Sequence, residues 1–317
     1  MFYVMTGLVV AGGLLALGLL LGAYYAYRRV FYAPERTAPP TDYRIPDTDQ
    51  YRPYQKEILE LLDAALQMPY EPVTVQSEDG LVLFGKYYHI CENAPLQIMF
   101  HGYRTPLAER DFEGGMQIAK ALGHNILLVD QRGHGKSQGH VTTFGILERK
   151  DCLTWIRYAN QRFGEDTRIL LFGISMGAAT VLMACGLSLP SNVAGIVADC
   201  GYTSPEAIIR FVIRDMGLPS AVYGIVRLGA KLFAGLSISE AVSAKEAMKT
   251  CKIPVLFIHG EGDAYVPWKM SLENYEQCSS EKYIFTVPNA GHGMSFFGDR
   301  KGYVNAVHTF VGKVCKE

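Results

Sequence analysis

Residues 168–184 read Arg168-Ile169-Leu170-Leu171-Phe172-Gly173-Ile174-Ser175-Met176-Gly177-Ala178-Ala179-Thr180-Val181-Leu182-Met183-Ala184. The first part is a short apolar run without a polar break, as in a strand buried on both faces of a parallel sheet. The last part is small and apolar and reads as a helix. Between them lies a Gly-x-Ser-x-Gly turn at 173–177. A serine on a sharp strand-to-helix turn is held in a strained conformation with its hydroxyl exposed. Glycines two before and two after it leave room for close chain approach. The plain alternative for Ser175 is a helix N-cap.

A second Gly-x-Ser-x-Gly occurs at Gly135-Lys136-Ser137-Gln138-Gly139. Ser137 lies seven residues past the nearest apolar run, among glycines and polar residues, and reads as a turn serine. Context therefore selects Ser175.

Outward from the elbow the chain alternates. Apolar runs at 96–100, 125–129, 168–172, 193–198, 253–258 and 283–287 read as strands. Helical stretches near 107–122, 143–162, 176–187, 267–277 and 299–314 lie between and after them. Residues 73–75 and 81–88 flank Glu78-Asp79-Gly80 like a hairpin. The expectation is an α/β fold: a mostly parallel, doubly wound sheet with an antiparallel edge, over residues 70–317. About fifty residues separate the strand at 193–198 from the next one, more than a single crossover needs. A small helical cap is expected at about 203–249, over the C-terminal edge of the sheet.

A serine hydroxyl is a poor nucleophile until a base takes its proton, and the base is normally a histidine oriented by a carboxylate. Of eight histidines, His259, His292 and His308 follow Ser175 with a strand before them. His292 stands in Asn289-Ala290-Gly291-His292-Gly293, a turn just past a strand, where catalytic groups collect. His259 ends a strand ahead of any suitable acid, and His308 reads as mid-helix. The acid is assigned to Asp263, in His259-Gly260-Glu261-Gly262-Asp263, with Asp199 as its competitor and Glu261 as a solvated neighbour. Two backbone N–H groups must face the developing oxyanion. Met176 follows the nucleophile. Tyr103, in His101-Gly102-Tyr103-Arg104, follows the first long parallel strand.

Residues 1–27 hold no charged side chain, and Tyr24, Tyr25, Arg28 and Arg29 stand at the far end. A run of this length spans a ~30 Å hydrocarbon core. A cleaved signal peptide would want a basic start and an Ala-x-Ala site, and neither is there. The segment is expected to be a single-pass membrane anchor. Arg28, Arg29 and Arg36 place the following chain on the cytoplasmic side by the positive-inside rule. Gly18 and Gly22 make one Gly-x-x-x-Gly, a weak signal in a glycine-rich helix. Residues 28–69 read as a proline-rich linker, with Pro34, Pro39, Pro40, Pro46 and Pro53, and an amphipathic helix at 55–67. Few contacts are expected to cross that linker, and the catalytic residues are expected to lie after residue 100, none of them needing the span to assemble.

The chain has 317 residues, 49% hydrophobic and 19% charged, which excludes a disordered or fibrous class. With 30 Lys+Arg against 31 Asp+Glu and no basic stripe, a nucleic-acid partner is not expected. Seven cysteines without a Cys-x-x-Cys pair argue against a disulfide framework or a zinc site and favour a reducing compartment.

Taken with the stretch Asp130-Gln131-Arg132-Gly133-His134-Gly135-Lys136-Ser137-Gln138-Gly139, the motifs around His101-Gly102, Ser175, Gly262-Asp263 and Gly291-His292 resemble the α/β-hydrolases. The likeness covers about residues 70–317. It is nearest the serine-aminopeptidase-type or monoacylglycerol-lipase-like branch, in members with a short cap and an N-terminal membrane helix. It implies a Ser175–His292–Asp263 hydrolase acting through an acyl-enzyme on esters, thioesters or amides, with no metal and no cofactor. In that family the 130–139 loop is structural. The expected substrate is a small-molecule ester or acyl compound, with an acyl chain suggested by the apolar cap. Two rivals stand beside this reading. One is an aminopeptidase or amidase using Glu206, Asp215 or Glu240 of the cap to bind an amine. The other is an inactive, membrane-tethered binding protein.

Overall fold

The apolar runs pair into one eight-stranded sheet in the order β1-β2-β4-β3-β5-β6-β7-β8. The strands are β1 Glu71–Gln76, β2 Val82–Tyr88, β3 Leu96–Phe100, β4 Asn125–Val129, β5 Ile169–Ile174, β6 Val193–Asp199, β7 Val255–Gly260 and β8 Lys282–Val287. The structure, a computed structural model, describes residues 2–34, 45–239 and 241–315. β1, β2 and β4 pair antiparallel and the rest parallel, so the antiparallel edge stands where the hairpin signal put it.

Alternate residues of each strand face opposite sides. Ile98, Phe100, Leu127, Val129, Ile169 and Leu171 join one core with Trp155, Val181 and Leu182. Met99, Ile126, Leu128, Leu170 and Phe172 join the other with Phe112, Met116, Val307 and Phe310. The helices that cover the sheet are α3 Ala108–Ala121, α4 Glu148–Phe163, α5 Met176–Ala184, α9 Lys269–Gln277 and α11 Arg300–Val314. A four-residue α10, Ser295–Gly298, precedes the last of them.

α4 begins five residues later than its pattern suggests. Phe144 (φ 55°) and Gly145 (φ 90°) are left-handed, and a right-handed helix cannot pass through them. The Glu148 carboxylate instead gathers the Thr143 and Gly145 amides and the Thr143 hydroxyl.

The 203–249 interval holds α6 Pro205–Asp215, α7 Val222–Phe233 and α8 Ala244–Met248. Its position departs from the expected cap: α7 packs along the N-terminal helix. That helix, α1, runs over Phe2–Val30 and is about 44 Å long at 1.5 Å per residue. Leu8, Leu14, Leu15, Leu17, Leu20 and Leu21 are exposed. Beyond them Ala23 and Ala26 are buried against α7. Gly229 permits that approach, since a Cβ there would stand 2.3 Å from the Ala23 carbonyl oxygen.

The expectation that few contacts cross from the N-terminal region is overturned. Phe31 is buried in the main core. The Thr142 amide donates to the Phe31 carbonyl and the Ala33 amide to that of His140. Residues 31–33 thus belong to the body of the fold rather than to a linker. α2, Gln55–Leu66, buries Ile58, Leu62 and Ala65 and packs on α3. Arg36, Pro39, Pro40 and Glu240 lie outside the described residues.

Candidate active site

Ser175 follows β5 with φ 56° and ψ −114°, a region that costs a non-glycine residue about 1–3 kcal/mol. Its neighbours explain how the chain holds it there. A Cβ on Gly173 would lie 2.3 Å from the Gly177 carbonyl oxygen, and one on Gly177 would lie 1.7 Å from that of Phe100. No side chain fits at either place. The Ser175 amide donates to the Asp199 carbonyl (2.8 Å), fixing the turn against β6.

The loops after β7 and β8 deliver two groups to the serine. His292 Nε2 is 2.9 Å from Ser175 Oγ, and His292 Nδ1 is 2.7 Å from Asp263 Oδ2. Asp263 Oδ1 accepts the Tyr265 and Val266 amides at 2.8 and 2.9 Å. Burial would raise the Asp263 carboxyl, but His292 and His259 outweigh it and hold it well below the usual carboxylate range. Burial likewise opposes charge on His292. Cys200 and Asp263 outweigh that and raise the ring well above its ordinary value. With Nδ1–H donated to the carboxylate, Nε2 can accept the serine proton.

Asp199, the competing acid, does not reach His292. Its Oδ2 accepts the Tyr303 hydroxyl (3.0 Å), and burial pushes it up to about 6. Glu261 accepts the Thr286 hydroxyl (2.7 Å) on an exposed edge. Ser137 donates to the Asp130 carbonyl and accepts the Phe84 amide, so it ties the loop after β4 to β2. His101 donates from Nδ1 to the Gly102 carbonyl (2.8 Å) and accepts the Gln131 amide (3.0 Å). The Asp111 carboxylate accepts the Gly102 amide at 2.7 Å. The Tyr103 and Met176 amides donate to no acceptor among the described residues; Met176 follows Ser175 in the chain, and a Cβ on Gly102, the residue before Tyr103, would lie 3.5 Å from Ser175 Cβ.

Several site residues escaped the sequence reading. His259 is fully buried beside Asp263. Its Nε2 faces two acceptors, Asp263 Oδ2 at 3.1 Å and the Val266 carbonyl at 2.9 Å, so that nitrogen carries the proton. Cys200 (φ 48°) sits against His292, its thiol pushed up to about 11 by burial. Cys200, Asp263 and His292 offer atoms within 4.8 Å of one another, a spacing that could hold a metal ion. The Asp263 and His292 atoms in that set are already engaged in the hydrogen bonds above.

The cavity at Ser175 has a volume of about 110 Å³. Ile45, Pro46 and Tyr51 line it from the segment before α2, with Glu113 from α3 and Met294 beyond His292. None of the lining residues comes from 203–249, so the expected cap does not shape this cavity. Tyr51 donates to the His292 carbonyl (2.8 Å), and Gln50 donates to that of Gly262 (3.2 Å). The segment before α2 thus bridges the two catalytic-side loops. Glu113 is buried with Oε2 unpartnered, and burial pushes it up to about 8. Of the cap acids, Glu206 pairs with Arg210 (2.6 Å) and Asp215 is exposed. Tyr51, Gln50 and Glu113 carry no motif, and only their contacts mark them.

The α/β-hydrolase fold family matches residues 98–248. An uncharacterised protein of Bacillus subtilis, YqkD, is 29% identical over 62% of this chain and 65% of its own length. The chain thus spans a little under two thirds of that relative. The bem46 protein of Schizosaccharomyces pombe is 26% identical over 78% of each chain. Among solved structures, an esterase of Pyrococcus furiosus superposes with a TM-score of 0.65 at 23% identity, covering 80% of this chain and 94% of the other. At that identity the likeness speaks for the fold alone.

Proposed function

We propose, from the premise that this chain belongs to the α/β-hydrolase superfamily, that it is a serine hydrolase cleaving carboxylic esters of short acyl groups. The observation that carries this is the unbroken chain Ser175 Oγ–His292 Nε2 and His292 Nδ1–Asp263 Oδ2, at 2.9 and 2.7 Å. Ser175 attacks the carbonyl while His292 takes its proton. Asp263 holds the ring and stabilises its charged form. The Tyr103 and Met176 amides receive the oxyanion. His292 then returns the proton to the leaving alcohol, and water, activated by the same ring, frees the acid. A cavity of about 110 Å³ favours a short acyl group over a long chain.

α1 is long and apolar enough to cross a bilayer. We infer that it anchors the enzyme, with Arg28 and Arg29 and the hydrolase body on the cytoplasmic side. α7 runs parallel to it, Ile225 beside Gly22 and Phe233 beside Tyr24 and Tyr27. The α6–α7 turn, with exposed Met216 and Leu218, therefore faces the bilayer, flanked by Arg210, Arg214 and Arg227.

Fluorophosphonate labelling tests the enzymatic reading. The wild type and Ser137→Ala are expected to label and Ser175→Ala to stay blank. Labelling of Ser175→Ala would remove the nucleophile assignment. Flotation with vesicles tests the anchor: a full-length chain that stays with the soluble fraction would refute it.

A further inference from the structure

α1 ends at Val30, and a helix end leaves its last carbonyls without intrahelical partners. Here two of those carbonyls, of Arg29 and Val30, are taken up by the loop that follows β3. The Tyr103 hydroxyl donates to the Val30 carbonyl at 2.7 Å. Arg104 Nη2 donates to the carbonyls of Arg29 (2.9 Å) and Tyr32 (3.1 Å). The Tyr103 ring stacks on Phe144, with centroids 5.1 Å apart and planes at 26°. Phe144 in turn meets Phe31 edge-on at 5.8 Å.

The same loop is held on its inner side. Asp111 accepts the Gly102 amide and the Thr105 hydroxyl. The Arg104 amide donates to His134 Nε2 at 3.0 Å, with Arg104 left-handed at φ 55°. The Tyr103 amide therefore sits between two anchored neighbours and has no acceptor of its own among the described residues. The outer half of its support comes from the end of α1.

We propose that the seated end of α1 is a working part of the oxyanion loop, and that the Tyr103 hydroxyl and the Arg104 guanidinium are positioning groups that aim the Tyr103 amide. This rests on the reading of that amide as an oxyanion donor. A donor aimed at a developing charge acts in the transition state and little in the ground state. Loosening it lowers kcat and leaves KM in place. Losing one such donor outright costs about 10²–10³ in kcat, and loosening it by one hydrogen bond costs about five- to thirtyfold.

The test uses the full-length chain in vesicles, with kcat counted per titrated serine on a short-chain ester. Tyr103→Phe keeps the backbone amide and the ring stacking and removes only the bond to Val30. Arg104→Gln removes the pair to Arg29 and Tyr32, and Arg104→Lys restores part of it. Gly229→Ala touches neither the loop nor the cavity but drives a Cβ to 2.3 Å from the Ala23 carbonyl and so unseats α1 from α7. All but the lysine variant are expected to lose about five- to thirtyfold in kcat with KM within about twofold. Arg104→Lys is expected to recover part of the loss. Tyr103→Phe and Gly229→Ala combined should lose less than the product of their separate losses, because both act through one seat. Unchanged kcat in these variants, or a rise in KM alone, overturns the proposal. Ser175→Ala runs beside them: turnover that survives it would show that the esterase reading itself has failed, a result distinct from intact Ser175-dependent turnover in the unseated variants.

Discussion

Asp263→Asn probes the site where it is most tightly built. The carboxylate accepts from four N–H groups: His292 Nδ1 (2.7 Å), His259 Nε2 (3.1 Å) and the Tyr265 and Val266 amides (2.8 and 2.9 Å). An asparagine keeps one acceptor and turns the other into a donor. If its oxygen stays with the two backbone amides, its NH₂ faces two ring N–H groups. His292 then turns its bare nitrogen to the amide and its proton to Ser175, and it can no longer act as a base. The electrostatic loss is of similar size. An imidazolium and a carboxylate 2.7 Å apart attract by about 6 kcal/mol at an effective dielectric near 20. At 1.36 kcal/mol per decade that is roughly four powers of ten in kcat. The assay is steady-state ester hydrolysis from about pH 5 to 9, with active-site titration. His292 must be neutral to act, so activity rises with pH through its pKa and falls below it. Asp263 helps hold that pKa above the ordinary value, against burial. Without the carboxylate it drops, and the acid limb of the residual activity moves to lower pH. Asp199→Asn, which alters only the bond with Tyr303, should cost less than about tenfold. A kcat for Asp263→Asn within tenfold of wild type, or an acid limb that moves upward, refutes the reasoning.

Four further variants follow from the same structure. His259→Gln removes a charge-assisted hydrogen bond worth about 1.5–3 kcal/mol, so both the thermal midpoint and kcat should fall; an unchanged kcat would make His259 a packing residue only. Gly177→Ala should fail to yield folded protein, because the added carbon lies 1.7 Å from the Phe100 oxygen. Gly312→Ala in α11, with nothing within 4 Å of its Cβ, should instead raise the thermal midpoint by a helix-propensity gain of about 0.5–1 kcal/mol. Glu113, pushed up to about 8 by burial, binds its proton more tightly folded than unfolded. Its contribution is whole below the unfolded pKa and is lost as pH rises toward about 8. Glu113→Gln should flatten the fall of the thermal midpoint over that window, and an unaltered pH slope would contradict the assignment.

The sheet, the elbow and the assembly of Ser175, His292 and Asp263 were legible because each rests on local spacing. An apolar run, a glycine pair and a loop past a strand end all leave a mark within ten residues. The misplaced start of α4 shows the limit of that reading. Thr143, Phe144 and Gly145 fit an amphipathic pattern, yet two left-handed residues and the Glu148 carboxylate hold them as a turn. Tyr51, Gln50, Glu113 and His259 were illegible for a different reason. Their roles come from partners far along the chain or from burial, and a tyrosine 241 residues from the carbonyl it meets carries no periodic signal.

The N-terminal helix was half legible, and its two halves obey different physics. From Tyr3 to Leu21 the described apolar side chains are exposed, as in a segment whose solvent is lipid. From Gly22 to Ala33 one face is packed against protein: Ala23 and Ala26 on α7, Phe31 on Phe144. Hydropathy alone cannot divide these halves, because a buried alanine and a lipid-facing alanine have the same composition. What divides them is Gly229, whose missing side chain lets α7 reach the α1 backbone, and the pair Tyr103 and Arg104, whose donors meet the carbonyls of the helix end. A truncation that stops before Gly22 should therefore release the chain from membranes with its turnover of a short ester intact. One that removes residues through 27 strips Ala23 and Ala26 from α7 and should lose about as much kcat as Gly229→Ala. Equal activity of the two truncations would show that the seat is packing alone.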